Sequence, residues 1–304
     1  MKVRAGSAQA WAIALRPRTL WIAVVPVLVA NAFAWRAGAF EPWIAILSLA
    51  VALLMQAITN LQNDVGYTQR GGEHADVVGL RMGFPRATAL GLLPVATVRR
   101  AIVVAVLGAI ALGMPIVANS GWPALLVGIA SLGAALGYMG GPWPIAYGPY
   151  GELIVLLFFG WAAVGGSFYV QTHTLTPAVA LAATTTGVLA AAVLALNNHR
   201  DAAHDRASGR RTFAVRAGAT AACALYAGLL LAAFALTGAL AMVERSLLFL
   251  APALTLPAAL MLVQRVRATS DGTALTRLLL ATVKVQLVFG VLLAAAALLA
   301  TLQR

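Results

Sequence analysis

Residues 178–205 read AVALAATTTGVLAAAVLALNNHRDAAHD. The first part, 178–198, carries no charge and has the length of a helix that crosses a hydrocarbon layer about 30 Å thick, which takes about 20 residues. From Asn197 onward the chain turns abruptly polar, with Arg200, Asp201 and Asp205 following within two helical turns. Such a run reads as a transmembrane helix with a chemically active end. Working outward, eight further apolar runs recur, at about 19–36, 43–63, 101–118, 122–140, 152–171, 213–237, 246–264 and 276–302. Bulk composition agrees: the 304 residues are 62% hydrophobic and 10% charged, whereas a soluble domain carries about 25% charged residues. The expected fold is therefore all-α, a polytopic membrane bundle of nine spans forming one domain over residues 1–304.

Orientation follows from the loops. Of the 21 Lys and Arg residues, all but Arg36, Arg245, Arg304 and Lys284 fall in the N-terminal segment and in alternate loops. The positive-inside rule places those loops and the N-terminus in the cytoplasm of the cell membrane. A net charge of +12 distributed in this way belongs to a membrane surface, and no nucleic-acid partner is expected. Arg16 and Arg18 interrupt what would be the core of a signal peptide, so the segment before them reads as an interfacial helix. The single cysteine, Cys223, excludes a disulfide framework and a cysteine metal cluster.

The nine acids carry more information than the bases. Glu41, Glu244 and Asp271 sit among basic or turn residues, where local pairing explains them. Asp64, Glu73 and Asp76 gather after the second span, and Asp201 and Asp205 gather after the sixth. A carboxylate at a helix C-terminus opposes the helix dipole, so neither group stabilises its helix. The groups share a spacing: Asn60 and Asp64 are four apart, as are Asn197, Asp201 and Asp205, which places each set along one helical stripe. Ladders of amide and carboxylate oxygens suit Mg²⁺, which takes one or two protein carboxylates together with substrate phosphate oxygens. Two facing ladders could hold a diphosphate, with Arg200, Arg206, Arg210 and Arg211 supplying direct contacts. The plainer alternative is two helix ends whose acids pair with neighbouring arginines; the recurrence of the amide-led spacing favours the shared ligand.

At these residues the chain resembles the UbiA superfamily of intramembrane prenyltransferases, and within it the MenA branch. The resemblance covers most of the chain: Leu15 to Leu20, Asn60 to Gly66, the segment Gly83-Phe-Pro85-Arg86-Ala, the Gly/Pro-rich loop Gly137 to Glu152, Phe158-Phe159-Gly160, Tyr169 to Thr172, and Asn197 to Thr212. It implies helices around a central cavity open to lipid, with the polyprenyl tail in that cavity. It also implies Mg²⁺-diphosphate held by Asn60, Asn63, Asp64 on one side and Asn197, Asp201, Asp205 on the other. The implied partners are polyprenyl diphosphate, membrane lipid and an aromatic acceptor, 1,4-dihydroxy-2-naphthoate, which loses its carboxylate as carbon dioxide on the route to menaquinone. The chain departs from the family in one respect, because Tyr67 stands where the first motif has a further Asp.

The remaining polar residues admit two readings each. Tyr138 and Tyr147 flank the Gly/Pro-rich loop and suit stacking on an aromatic acceptor or stabilising a cation, or an interfacial aromatic belt. Arg16 suits the acceptor's carboxylate, or anchors the first span. Lys284 lies within the last span and is by default a functional residue, or it snorkels to the surface. Three rival functions remain open. One is a superfamily relative with another acceptor, another is a terpene cyclase with none, and the third, of a different class, is a polytopic transporter. A transporter places its ionisable residues near the bilayer midplane, whereas these acids lie at span ends.

Overall fold

A computed structural model describes residues 3–71 and 85–303, so Glu73 and Asp76 lie outside the described residues. Among these residues the chain is helical and contains no strand. A short helix, α1 (Ala8–Leu15), precedes the spans α2 (Pro17–Arg36), α3 (Pro42–Gln69), α4 (Val95–Ser120) and α5 (Trp122–Gly137). After the Gly/Pro-rich loop come α6 (Gly151–Thr172), α7 (Pro177–Arg200), the two-turn α8 (Ala202–Ala207), α9 (Phe213–Glu244), α10 (Leu247–Arg267) and α11 (Gly272–Leu299). Eight of these helices are long and apolar enough to cross a membrane. The ninth, α5, has 16 residues, a rise of about 24 Å. The chain is thus a multi-pass membrane protein.

Several helices outrun the apolar windows that announced them. α3 continues six residues past Asn63, and α4 starts at Val95. Hydropathy registers only the part of a helix in hydrocarbon, whereas the backbone ladder persists into the polar ends that carry the arginine-rich loops. α9 bends at Gly218, whose φ of 83° and ψ of 173° leave helical space, a conformation that glycine reaches without Cβ strain.

α7 is the most enclosed span and α4 among the most exposed. The Thr184-Thr185-Thr186 triplet sits inside α7 without cost because each hydroxyl donates to the carbonyl four residues back, at 2.7–2.8 Å. α6 packs on α7 through Gly160 and Gly187. A Cβ on Gly187 would come within 2.6 Å of the Leu156 carbonyl oxygen and 3.1 Å of the Gly160 Cα. Backbones approach this closely only through small residues. Here α6 winds as a π-helix over Leu156–Gly166. At the end opposite the arginine-rich loops, Arg36 of α2 meets Glu244 of α9 at 2.6 Å, so Glu244 pairs across the bundle. Asp271 caps α11, accepting from the Ala274 N–H at 2.6 Å.

Candidate active site

A cavity of about 1360 Å³ runs through the bundle. Its wall is apolar over most of its length, with Ile110, Met114, Val127, Phe158, Phe159 and Trp161 among the lining residues. At the basic end the wall becomes polar. There the cavity meets Arg16, Asn60, Asn63, Tyr67 and Arg86 on one side, and Tyr138, Asn197, Asn198, Arg200, Asp201, His204, Asp205 and Arg210 on the other.

The second ladder is built as its spacing required. α7 ends at Arg200 and α8 begins at Ala202, yet the i to i−4 bonds run through the junction: Asp201 N–H donates to the Asn197 carbonyl at 3.0 Å and Asp205 N–H to the Asp201 carbonyl at 2.8 Å. Asn197, Asp201 and Asp205 therefore stay in register. Arg200 clamps Asp201 through Nε and Nη2, both at 2.7 Å, and its Nη2 also reaches the Asn197 Oδ1 at 2.9 Å. Arg210 meets the Asp205 Oδ1 at 3.1 Å. Asp205 is 1% exposed, and its Oδ2 is buried without a hydrogen-bond partner. An orphan carboxylate oxygen in a polar pocket beside a second acid and an amide oxygen fits a hard divalent cation. No group of three or more His, Cys, Asp or Glu placed to hold a metal ion occurs among the described residues. Carboxylate and amide oxygens suit magnesium, which draws its remaining ligands from water and phosphate.

The first ladder is built differently. Asn60 spends its Nδ2 on the Leu15 carbonyl at 2.7 Å and the Thr19 hydroxyl at 3.0 Å, and its Oδ1 accepts from Gln56 at 3.2 Å. These bonds fix the elbow between α1 and α2, where Arg16 adopts a left-handed conformation, φ 50° and ψ 68°. Asn60 thereby holds the residue that presents Arg16 to the cavity. Asp64 is absent from the cavity wall. It is 0% exposed, its Oδ2 accepts from the Ala87 N–H at 2.9 Å, and its Oδ1 accepts from the Thr88 N–H at 2.8 Å and from the Thr88 hydroxyl. Asn60, Asn63 and Tyr67 line the cavity, while the Asp64 carboxylate is drawn away from it by the backbone of Ala87 and Thr88. Both Asp64 oxygens are committed to the chain after Arg86, and among the described residues the first ladder offers no carboxylate to a cation.

Tyr67 instead bridges the two ladders. Its hydroxyl lies 2.9 Å from the His204 Nε2, the rings stack at 5.7 Å with a 10° interplanar angle, and the Arg86 guanidinium covers the Tyr67 ring at 5.0 Å. The substitution flagged in the sequence thus replaces an acid with a contact to the second motif.

Three further expected residues stand away from the cavity wall. Tyr147 is held between two guanidiniums, Arg70 at 5.1 Å and Arg210 at 5.4 Å, and its carbonyl accepts from the Arg211 N–H at 2.9 Å; it braces the Gly/Pro-rich loop. Arg211 is exposed at the bundle end. Lys284 is exposed on the outer face of α11, away from the cavity wall. Tyr138 lines the wall one residue beyond α5. Burial pushes its phenol up to about 12, with Arg210 opposing and Glu152 and Asp205 reinforcing the shift. Arg210 is held charged: burial opposes the charge, but Asp205, Tyr138 and Tyr147 outweigh it. Arg86, Asn198, Glu152 and His204 entered no site assignment from sequence. Only the bundle brings them to the ladders, although Pro85-Arg86 and the Asn197-Asn198 doublet were the available signals.

Residues 23–283 match the UbiA prenyltransferase family. The chain is 38% identical over 231 residues to the 1,4-dihydroxy-2-naphthoate octaprenyltransferase of Escherichia coli (strain K12), covering 73% of each chain. It is 36% identical over 229 residues to the protein of the same name from Mycobacterium tuberculosis (strain ATCC 25618 / H37Rv), covering 75% of this chain and 76% of that one. In fold it is similar to a UbiA homolog from Archaeoglobus fulgidus bound to DMAPP and Mg²⁺, with a TM-score of 0.65 at 16% identity over 94% of this chain and 99% of that one. It is also similar to the apo UbiA homolog from Aeropyrum pernix K1, with a TM-score of 0.67 at 16% identity over 91% of this chain and 97% of that one.

Proposed function

Because the chain belongs to the UbiA prenyltransferase family, we propose that it transfers a polyprenyl group from polyprenyl diphosphate to 1,4-dihydroxy-2-naphthoate, with loss of the ring carboxylate as carbon dioxide, in menaquinone synthesis. The relatives named for that reaction match at 38% and 36% identity. The observation that carries the proposal is the cavity itself: a long apolar volume closed at one end by acids, amides and guanidiniums. A polyprenyl diphosphate has the same division, a charged head on an apolar tail.

Asn197, Asp201 and Asp205 would hold Mg²⁺. When bound there, the ion supplies neutralising charge for the departing diphosphate. Arg16, Arg86, Arg200 and Arg210 bind diphosphate oxygens, a guanidinium having five N–H donors to divide between an acid and a phosphate. Asp64 acts from behind: by fixing the backbone of Ala87 and Thr88 it positions Arg86. As the allylic C–O bond breaks, positive charge develops on the prenyl carbon, and the Tyr138 ring offers its electron-rich face. With its phenol held neutral, Tyr138 donates a hydrogen bond and does not serve as a base. The apolar wall excludes water, so the aromatic ring and not hydroxide meets the cation. The arginine-rich end faces the cytoplasm of the cell membrane by the positive-inside rule, where a soluble acceptor arrives.

The test uses purified protein in detergent with a polyprenyl diphosphate, offering dihydroxynaphthoate and 4-hydroxybenzoate in competition, with Mg²⁺ or EDTA. A metal-dependent, decarboxylated prenylnaphthol is the expected product by mass spectrometry. Diphosphate release without that adduct refutes the acceptor, and no diphosphate release refutes the reaction class.

A further inference from the structure

Each acid at the polar end of the cavity, among the described residues, has a strong donor, with one exception. Asp201 has Arg200, Asp205 has Arg210, and Asp64 has two backbone N–H groups. Glu152, at the first turn of α6 and 6% exposed, has only an amide: the Asn198 Nδ2 donates to its Oε1 at 2.9 Å. A buried carboxylate without a cation is costly to keep, and helix packing alone would be served as well by a neutral pair.

The partner explains the arrangement. Asn198 is itself 6% exposed and lines the cavity. Its neighbour Asn197 lies about 100° round the helix and turns its Oδ1 to Arg200. The doublet thus splits the polar end in two, Asn197 belonging to the diphosphate ladder and Asn198 to the side of Glu152 and Tyr138, both of which neighbour the Gly/Pro-rich loop. A carboxylate only accepts hydrogen bonds, so Glu152 forces the Asn198 amide nitrogen toward itself. The Asn198 Oδ1 is then the edge left to the cavity, and it too only accepts.

We infer that Asn198, oriented by Glu152, accepts a hydrogen bond from one hydroxyl of the aromatic acceptor and so sets which way its ring faces. This rests on the acceptor class proposed above. The carboxylate and the two hydroxyls of such a ring are sorted by charge. Its carboxylate is repelled by Glu152 and by an amide oxygen and turns toward the guanidiniums, which leaves one of its hydroxyls as the donor that meets Asn198. Asn198 touches the substrate; Glu152 is a positioning residue that acts through it.

The experiment compares the acceptor with its two mono-O-methyl ethers, measuring kcat/KM for the acceptor and KM for the prenyl diphosphate in detergent-solubilised protein. In the wild type, methylating the hydroxyl that meets Asn198 is expected to lower kcat/KM about 10- to 100-fold, with the other ether less affected. Glu152→Gln is nearly isosteric and keeps a hydrogen bond to Asn198, but its amide also donates, so Asn198 is free to turn over. That variant is expected to lower kcat/KM for the parent acceptor about tenfold or more, to level the two ethers with it, and to leave the prenyl diphosphate KM unchanged. Asn198→Leu should level the ethers in the same way. A wild type indifferent to both ethers overturns the inference, as does a Glu152→Gln protein that discriminates like the wild type or that loses donor and acceptor affinity equally. Failure of the acceptor assignment is a separate result: the wild type then forms no naphthol adduct and prenylates 4-hydroxybenzoate, on whose hydroxyl the same ether comparison decides the role of Asn198.

Discussion

Asp64 and Asp205 read alike in sequence, and the structure assigns them opposite energetic roles that a matched pair of substitutions separates. In Asp64→Asn one oxygen becomes an NH₂ group. If Oδ2 is replaced, a donor faces the Ala87 N–H donor, which sat at 2.9 Å from an acceptor. If Oδ1 is replaced, the Thr88 N–H at 2.8 Å loses its acceptor instead. Either way one charge-assisted bond is lost, about 1.5–3 kcal/mol, and a buried N–H is stranded, about 1–3 kcal/mol more. A loss of about 3 kcal/mol or more follows, equivalent to a fall of about 5 °C or more in melting temperature at an unfolding entropy of about 2.1 cal/mol/K per residue. In Asp205→Asn the replaced atom can be Oδ2, which has no partner, so Oδ1 keeps its bond to Arg210; that bond is no longer charge-assisted, a cost of about 1–2 kcal/mol, smaller than that of Asp64→Asn. Turnover should behave in reverse, with Asp205→Asn losing on the order of 100-fold or more as an electrostatic contributor to the transition state is removed. The assays are thermal unfolding in detergent monitored by size-exclusion recovery, Mn²⁺ binding by electron paramagnetic resonance, and diphosphate release per folded molecule. An Asp64→Asn protein that melts with the wild type but loses a bound Mn²⁺, or an Asp205→Asn protein that melts well below the wild type and still binds it, would refute the assignment.

Three further outcomes follow. Tyr67→Phe removes the bond to His204 but keeps the ring under Arg86, so kcat should fall about three- to tenfold, in line with a bond of about 1 kcal/mol; a loss as large as that of Asp205→Asn would make Tyr67 part of the metal site. Gly187→Val drives a side chain into the Leu156 carbonyl and the Gly160 Cα, and should abolish recovery of monodisperse protein, whereas wild-type recovery would mean that α6 and α7 are not in backbone contact. For Tyr138 the folded phenol, up to about 12 against the ordinary 10, keeps its proton where the unfolded chain releases it. Stability therefore falls as pH rises from about 10 to 12, and Tyr138→Phe should flatten that slope in a melting-temperature profile. An equally steep profile in the variant contradicts the burial of that phenol.

Much of the fold was legible before any contact was known. Nine apolar runs, each near the length of a bilayer crossing, and a strong asymmetry of arginine among the loops leave an α-helical bundle as the available architecture, since a lone helix satisfies its own backbone in lipid. The second ladder was legible for a local reason as well: Asn197, Asp201 and Asp205 lie on one continuous set of i to i−4 bonds, so sequence spacing is spatial spacing. The first ladder shows where that logic stops. Spacing says that Asn60 and Asp64 are near one another, but not which of them the neighbouring segments will cover, and the turn at Ala87 and Thr88 claims Asp64 from 23 residues away. Tyr147 and Lys284 stand away from the cavity for the same reason, one caught between Arg70 and Arg210 and the other turned outward on α11. The sequence by itself determined the helices, their number and the chemistry at one end, because hydropathy and helical periodicity are local properties of the chain. Which polar atoms face the cavity was decided only by packing, which pairs Asn198 with Glu152 46 residues apart and Tyr67 with His204 137 residues apart.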